Sequence, residues 1–347
     1  MEYLILIVTL AGIVFGADWL VAGAVSIARR FRVSDFVIGA AIVGIGTSMP
    51  ELVVSFFGAI KGNADVAIGN VVGSNIFNVL GILGVTALFF PIAIDRQNMT
   101  FEIPLCIAVS VLVTLLAFNF FDGTPAVLGR LDGWVLILLF AGFMWYSFVR
   151  DKKDIGERAP HDAGVIGDPA EAIRREGERA PHDASVIGDP AEAIRQEEKT
   201  PLWWAIAKVI GGLAVLIVSC DLFVENAVAV ARSFGVNDAF ISLTLIACGT
   251  SLPELAASVV AAFKKNTQLA LGNIVGSNIF NILLILGLSS QVMPLTSVGI
   301  TWVDYVVMIA AATVPLLFGF KGKIGRVGGL LMVASFVLYT WYLLMGQ

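Results

Sequence analysis

Charged residues are scarce in this chain. Lysine, arginine, aspartate and glutamate make up 14% of its 347 residues, whereas soluble domains carry about 25%. Hydrophobic residues make up 58%, and the mean hydropathy is +0.88. This composition excludes an ordinary soluble domain and predicts an all-α protein that crosses a lipid bilayer many times. The sequence carries no nucleic-acid-binding signature, so we expect no nucleic acid as a partner.

Cysteine and histidine are also few, with three and two residues respectively. Cys106, Cys220 and Cys248 lie far apart within apolar runs, so they match neither a metal-binding spacing nor a disulfide framework. We interpret them as small buried hydrophobic residues. We expect no cofactor and no enzymatic activity.

Ten segments are long and apolar enough to cross a membrane, for which about 20 residues suffice. They divide five and five around a polar segment at 151–199. The predicted spans are 3–26, 35–60, 66–90, 100–121, 127–149, 202–229, 238–262, 269–293, 301–320 and 325–345.

One polar stretch occurs twice within these spans. Residues 44–51 read Gly-Ile-Gly-Thr-Ser-Met-Pro-Glu, and residues 247–254 read Ala-Cys-Gly-Thr-Ser-Leu-Pro-Glu. A second motif, Gly-Asn-x-Val-Gly-Ser-Asn-Ile-Phe-Asn, follows at 69–78 and at 272–281 with the same offset of 203 (254 − 51 and 281 − 78). Because five is odd, the second half must enter the membrane in the opposite orientation. The sequence therefore predicts ten transmembrane helices arranged as two inverted five-helix repeats, a recurring transporter architecture.

The basic residues are unevenly distributed between the two sides of the membrane. One side carries Arg29, Arg30, Arg32, Arg96, Lys264, Lys265, Lys321, Lys323, Arg326 and the basic residues of 151–199, and the other carries only Lys61, Arg130 and Arg232. Since cytoplasmic loops are rich in lysine and arginine, we expect the first side to be cytoplasmic and both termini to lie outside. The predicted location is the cytoplasmic membrane. The predicted domains are a first repeat at 1–150, a cytoplasmic linker at 151–200 and a second repeat at 201–347.

The linker is itself duplicated, because residues 156–176 recur almost unchanged at 177–197, 21 residues on. Each copy contains Asp-Pro-Ala-Glu, which supplies the N-cap, the N1 proline and the capping-box glutamate of a short helix. We expect two short surface helices on a linker. Calcium sensing or metal binding by His161 and His182 is the alternative interpretation.

Few ionisable residues fall at membrane depth. They are Asp18, Glu51, Asp221, Glu225 and Glu254. Burying a carboxylate there costs at least ~2.5 kcal/mol, so such residues usually face a polar interior. Glu51 is well placed because Thr47 and Ser48 lie four and three residues before it on one helix face, and Glu254 repeats the arrangement. The proline before each glutamate lacks an N–H, so we expect a kink there. For the two aspartates, pairing with arginine and a gating role stay open.

The neighbouring spans add more oxygen atoms. Ser74 and Asn78 are four residues apart, as are Ser277 and Asn281, so each pair shares a helix face. No histidine or cysteine ligand is in register, and hard oxygen donors suit Ca²⁺, Na⁺ or Mg²⁺. Two glutamates carry two negative charges, which one Ca²⁺ or two monovalent ions would balance. Competition for the same carboxylates is a physical basis for exchange.

These paired stretches resemble the two α-repeats of the sodium/calcium exchanger family, of prokaryotic type, within the calcium/cation antiporter superfamily. The α-repeat motifs lie in 39–80 and 242–283. The resemblance covers spans 1–3 and 6–8, and it implies two long tilted spans, 1 and 6, that slide past a core of eight helices. The cation ligands it implies are Thr47, Ser48, Glu51, Ser74, Asn78, Thr250, Ser251, Glu254, Ser277 and Asn281, with the backbone carbonyls of Gly44 and Ala247.

The resemblance implies an antiporter that exchanges Ca²⁺ for Na⁺ by alternating access, with Glu51 and Glu254 as shared ligands. Asn281 stands where K⁺-requiring members carry aspartate, so we expect no dependence on K⁺. A Ca²⁺/H⁺ antiporter of the same fold is the alternative, and a channel or structural membrane protein is a third hypothesis. The sequence leaves the oligomeric state open, and a monomer is compatible with it.

Overall fold

The computed structural model describes residues 2–31, 33–119, 124–125, 127–158, 201–234, 247–296, 299–320 and 322–345. Within these ranges the chain is almost entirely helical. The helices are α1 Glu2–Phe31, α2 Asp35–Thr47, α3 Met49–Ile60, α4 Ala64–Phe89, α5 Asn98–Ala117, α6 Arg130–Arg158, α7 Leu202–Ser233, α8 Ala247–Gly249, α9 Leu252–Phe263, α10 Thr267–Val292, α11 Trp302–Gly319 and α12 Arg326–Met345.

Eight of these helices are long and apolar enough to cross a membrane, and a ninth span results if α2 and α3 are counted as one. Large hydrophobic side chains on their outer surface are exposed, as at Leu131, Trp145 and Leu330. The chain is therefore a multi-pass α-helical membrane protein, as its composition predicts. The predicted span 238–262 falls partly outside the described residues, which include only α8 and α9 there, so the number of ten stays a prediction.

Short strands join some of the helix ends. Strand β1 (Ile92–Ala93) pairs with β4 (Lys323–Ile324), and β2 (Phe118–Asn119) pairs with β3 (Thr124–Pro125), both antiparallel. Helix α5 ends at Ala117, a few residues before the predicted end of span 100–121, because Phe118 and Asn119 then pair as a strand. Hydropathy counts Phe118 as membrane-spanning, since it does not distinguish strand from helix.

The linker between the two halves begins later in the chain than the predicted residue 151. Helix α6 continues to Arg158, beyond the predicted span end at 149 and into the predicted linker. The rest of the linker, with its two predicted surface helices and both histidines, lies outside the described residues.

Helices α1 and α7 pack closely against each other through glycines. A Cβ on Gly16 would lie 2.6 Å from the backbone nitrogen of Leu216, and one on Gly23 would lie 2.9 Å from that of Val209. Small residues at such contacts let membrane helices approach closely. Because residue numbers fall along α7 as they rise along α1, the two helices are antiparallel. They are equivalent helices of the two halves, so this pair has the opposite orientations that the repeat predicts.

Helices α4 and α10 lie at the centre of the fold, with 78% and 94% of their spans buried. Glycines on α10 contact α2, because a Cβ on Gly272 would fall on the carbonyl oxygen of Phe36 and one on Gly276 on the Cα of Ala40. Both central helices contain a π-helical segment, Phe77–Leu83 in α4 and Asn281–Ile285 in α10. Such segments occur often at functional sites. The two repeated motifs thus meet in the interior.

Candidate cation site

The two glutamates of the repeated motif lie at breaks in their helices. Helix α2 ends before Ser48, and α3 continues at an angle of 49° with Glu51 in its first turn. Ser251 precedes α9 in the same way, with Glu254 in the first turn. The bend before Glu51 is the kink that its proline predicts. Both glutamates have 0% of their surface exposed, so both carboxylates lie in the interior.

Each carboxylate accepts a hydrogen bond from the motif of the other half. Ser48 Oγ donates to Glu254 Oε1 over 2.7 Å, and Ser251 Oγ donates to Glu51 Oε1 over the same distance. Hydrogen bonds from a hydroxyl to an ionised carboxylate are charge-assisted and are typically about this short. Helix periodicity predicts that each serine lies beside the glutamate of its own motif. Because the helix breaks at the serine, each serine bonds to the glutamate of the other half instead.

The other hydroxyls of the motif also lie at this junction. Ser251 Oγ lies 3.3 Å from Ser74 Oγ, and Ser277 Oγ donates to the carbonyl of Gly44 over 3.2 Å. Thr47 Oγ1 lies 3.2 Å from Asn273 Oδ1 and also donates to the carbonyl of Val43 within its own helix over 2.9 Å. Thr47, Ser74 and Ser277 are buried, so the junction is a polar cluster inside an apolar protein.

Two predicted residues lie at the edge of this cluster. Thr250 is half-buried in the break between α8 and α9, directly before Ser251. Ala247 is the first residue of α8, where the described part of the second motif begins.

The structure therefore brings eight side chains of the predicted set to one junction or directly beside it. The other two, Asn78 and Asn281, lie in the π-helical segments of α4 and α10 and are hydrogen-bonded to Asn278 and Asn75. The role of all ten as cation ligands stays a prediction.

Four carboxylate and amide oxygens of the predicted ligand set stand out because they are buried without a hydrogen-bond partner among the described residues, as is the hydroxyl oxygen of Thr250. The four are Oε2 of Glu51, Oε2 of Glu254, Oδ1 of Asn78 and Oδ1 of Asn281. A buried polar atom left unpaired costs about 1–3 kcal/mol, and more if it is charged. The four form two equivalent pairs at the 203-residue offset. Two carboxylates and two amide oxygens fit a hard cation such as Ca²⁺ or Na⁺.

Sequence reasoning missed a second set of asparagines that hold the helices of each half together. Asn70 Nδ2 donates to the carbonyl of Glu51 over 3.1 Å and to Ser55 Oγ over 2.9 Å. Asn273 repeats both bonds, to Glu254 over 3.2 Å and to Ser258 over 2.8 Å. Each asparagine ties a central helix to the glutamate backbone. Their signal was present, because both occur in the repeated motif at the same offset.

The remaining acidic residues of the predicted set lie away from this cluster. Asp18 forms an ion pair with Lys264, 2.8 Å from Oδ1 to Nζ. Pairing with arginine is one of its two open interpretations, and the partner here is a lysine. Asp221 and Glu225 are exposed on α7. None of the three contributes to the buried junction in the described residues.

The fold and the junction define a class of protein: an α-helical membrane protein whose interior holds an oxygen-lined site shared by two copies of one motif. Residues 1–149 and 204–345 match the family described as sodium/calcium exchanger protein. The chain belongs to this family.

Individual relatives agree over nearly the whole length. CaxA of Alkalimonas amylolytica is 37% identical over 342 residues, with 97% of each chain covered. The sodium/calcium exchanger MaX1 of Methanosarcina acetivorans is 32% identical over 361 residues, again with 97% of each covered. Among solved structures, the sodium-calcium exchanger NCX_Mj soaked without Na⁺ and Ca²⁺ is similar with a TM-score of 0.75 and 28% identity, over 99% of this chain and 98% of that one.

Proposed function

We propose that this protein is a secondary-active antiporter that exchanges Ca²⁺ for Na⁺ across the cytoplasmic membrane by alternating access. The observation that carries the proposal is the set of four unpartnered oxygens on Glu51, Glu254, Asn78 and Asn281. A dehydrated cation supplies the partner that these buried atoms otherwise lack. Membership of the exchanger family supports both transported ions, and we propose no cofactor.

The proposed ligands are those of the repeated motif. Glu51 and Glu254 are the shared ligands, because their two negative charges balance one Ca²⁺ or two Na⁺. The remaining ligands are Thr47, Ser48, Ser74, Asn78, Thr250, Ser251, Ser277 and Asn281, with the carbonyls of Gly44 and Ala247. The placement of the glutamates and hydroxyls at or beside one junction supports this assignment, and the unpartnered oxygens of Asn78 and Asn281 support their inclusion. Because both halves contribute, a movement of one half relative to the other would open the site.

The proposed architecture is ten transmembrane helices in two inverted repeats, with both termini outside and the linker in the cytoplasm. The antiparallel contact of α1 with α7 supports the inversion, as do the hydrogen bonds that recur at the 203-residue offset. The excess of lysine and arginine on one side supports the orientation. The resemblance further assigns the sliding movement to α1 and α7.

The alternative is Ca²⁺/H⁺ exchange by the same fold. Oε2 of Glu51 and Oε2 of Glu254 have no hydrogen-bond partner among the described residues, so each can accept a proton. This observation favours the alternative. We favour Na⁺ because the family and the relative MaX1 are described as sodium/calcium exchangers. Asn281 makes the site less acidic than an aspartate would, which argues against an additional K⁺.

A flux measurement distinguishes these ions. Purified protein in vesicles loaded with Na⁺ is diluted into Na⁺-free medium that contains radioactive Ca²⁺, and Na⁺, K⁺ and H⁺ gradients are imposed separately. We expect saturable Ca²⁺ uptake that follows the Na⁺ gradient alone. Uptake that follows only the pH gradient would establish the proton-coupled alternative, and uncoupled conductance would indicate a channel.

Site variants test the ligands in the same vesicles. We expect E51Q and E254Q each to abolish exchange, because either change removes one of two charges that balance the cation. The control is D95N, since Asp95 is an exposed carboxylate in the loop between α4 and α5. Elution as a single folded species would show that lost exchange is not lost folding. Normal exchange by E51Q or E254Q would contradict the assignment.

A further inference from the structure

Four asparagines join the central helices α4 and α10 in a reciprocal network. Asn75 Nδ2 donates to the backbone carbonyl of Asn278 over 3.2 Å, and Asn278 Nδ2 donates to that of Asn75 over 3.3 Å. Asn281 Nδ2 donates to Asn75 Oδ1 over 3.1 Å, and Asn78 Nδ2 donates to Asn278 Oδ1 over 3.0 Å. All four side chains are buried, with at most 2% of their surface exposed. The network therefore passes from each half to the other.

The orientation of each amide group in this network follows from hydrogen-bond chemistry. A backbone carbonyl only accepts, so the amide end that faces the carbonyl of Asn278 must be the NH₂ group of Asn75. The oxygen of Asn75 then faces Asn281 and requires a donor there, which only the NH₂ group of Asn281 supplies. Consequently the oxygen of Asn281 points the other way, where it has no partner among the described residues. Asn278 fixes Asn78 by the same sequence of steps.

We infer that Asn75 and Asn278 are positioning residues that hold the oxygens of Asn281 and Asn78 towards the transported cation. This inference rests on the proposed function, in which these two oxygens are ligands. The terminal torsion of an asparagine is broad and roughly two-fold, so an unrestrained amide readily presents its NH₂ group instead. An NH₂ group in that place repels a cation. The reciprocal network prevents this rotation in both halves.

The same network restricts which side chain can occupy position 281. An ionised aspartate there would place a second acceptor against the oxygen of Asn75, with no donor between them. Asn75 thus favours a neutral ligand at position 281, just as Asn278 does at position 78. The charge of the site then remains that of its two glutamates. Asn75 and Asn278 are specificity-determining in this sense.

The test is a set of double-mutant cycles read as the half-saturating Ca²⁺ concentration for exchange in vesicles. We expect N75A and N281A each to raise it by about three- to tenfold, the effect of one neutral hydrogen bond or ligand. The double variant N75A/N281A should be no worse than N281A, because Asn75 then has no ligand to hold. The pair N278A and N78A should behave in the same way.

Matched controls lie on the same helices. The combinations N75A/N78A and N278A/N281A join residues only three positions apart, yet neither pair shares a side-chain hydrogen bond in the network. Their effects should therefore multiply. A purely structural role for Asn75 would lower the thermal unfolding midpoint of N75A but leave the half-saturating Ca²⁺ concentration of the folded variant at the wild-type value. The maximal exchange rate of folded protein should change less than the half-saturating concentration.

The outcomes separate this inference from the proposed function. If N281A weakens Ca²⁺ binding but N75A adds its full effect in that background, the positioning role is wrong and the site stands. If neither N281A nor N78A alters half-saturation, their ligand role fails and the positioning role fails with it. Should N75A not fold, as judged by gel filtration and thermal unfolding, N75S and N278S replace the alanine variants in the same cycles.

Discussion

The carboxylate of Asp18 lies 2.8 Å from Nζ of Lys264, and this lysine also donates to the backbone carbonyl of Asp18 over 3.2 Å. The contact ties α1 to the residue that directly follows α9. The equivalent residues of the other half are Asp221 (18 + 203) and Lys61 (264 − 203), and neither makes an ion pair in the described ranges. The two halves therefore differ at this contact, although their buried motifs match closely.

The first prediction concerns this ion pair. Its side chains are 51% and 36% exposed, and an ion pair that reaches water is worth at most about 1 kcal/mol. We expect D18N to accelerate amide hydrogen exchange around Lys264 by up to about fivefold, because the end of α9 loses its link to α1. D221N is the matched control and should leave exchange around Lys61 unchanged. Equal effects of the two variants would contradict the asymmetry.

A second prediction concerns the serines that cross between the halves. S48A removes the hydroxyl donor of Glu254, and S251A removes that of Glu51. Hydrogen bonds to charged groups contribute about 1.5–3 kcal/mol, so each variant should raise half-saturating Ca²⁺ by about tenfold or more. S335A is the control, because Ser335 is exposed on α12 and bonds only within its own helix. Vesicle uptake at graded Ca²⁺ measures the shift, and wild-type affinity in S48A would refute the role of the cross-bond.

The third prediction tests the packing of α10 on α2. A Cβ on Gly276 would fall on the backbone of Ala40, which cannot move aside as a flexible side chain can. We expect G276A to destabilise the folded protein by about 1–3 kcal/mol, the usual cost of overpacking. G142A is the control, since a Cβ there meets no described atom within 4 Å. Thermal unfolding in detergent should show a lower midpoint for G276A than for G142A.

Much of the fold could be predicted because its signals are local. Apolar runs located the spans, and the repeated Thr-Ser-x-Pro-Glu located the bends and the buried glutamates. The partner of Ser48 could not be predicted in this way, since helix periodicity points it at Glu51 and only the tertiary arrangement brings Glu254 nearer. Asn75 was visible in the motif, yet its role depends on which atom of Asn278 faces it.

The pattern of hydrogen bonds between α4 and α10 has a consequence for how the protein can be put together. Asn75 bonds to the backbone of Asn278, and Asn278, its equivalent in the other half, bonds to the backbone of Asn75. Such reciprocal contacts are the geometry of an isologous interface between two identical subunits. This geometry leads us to expect that the two halves recognise each other without the covalent connection. We expect residues 1–158 and 201–347, produced as separate polypeptides in one cell, to assemble and co-purify. Halves that carry N75A and N278A together should co-purify poorly.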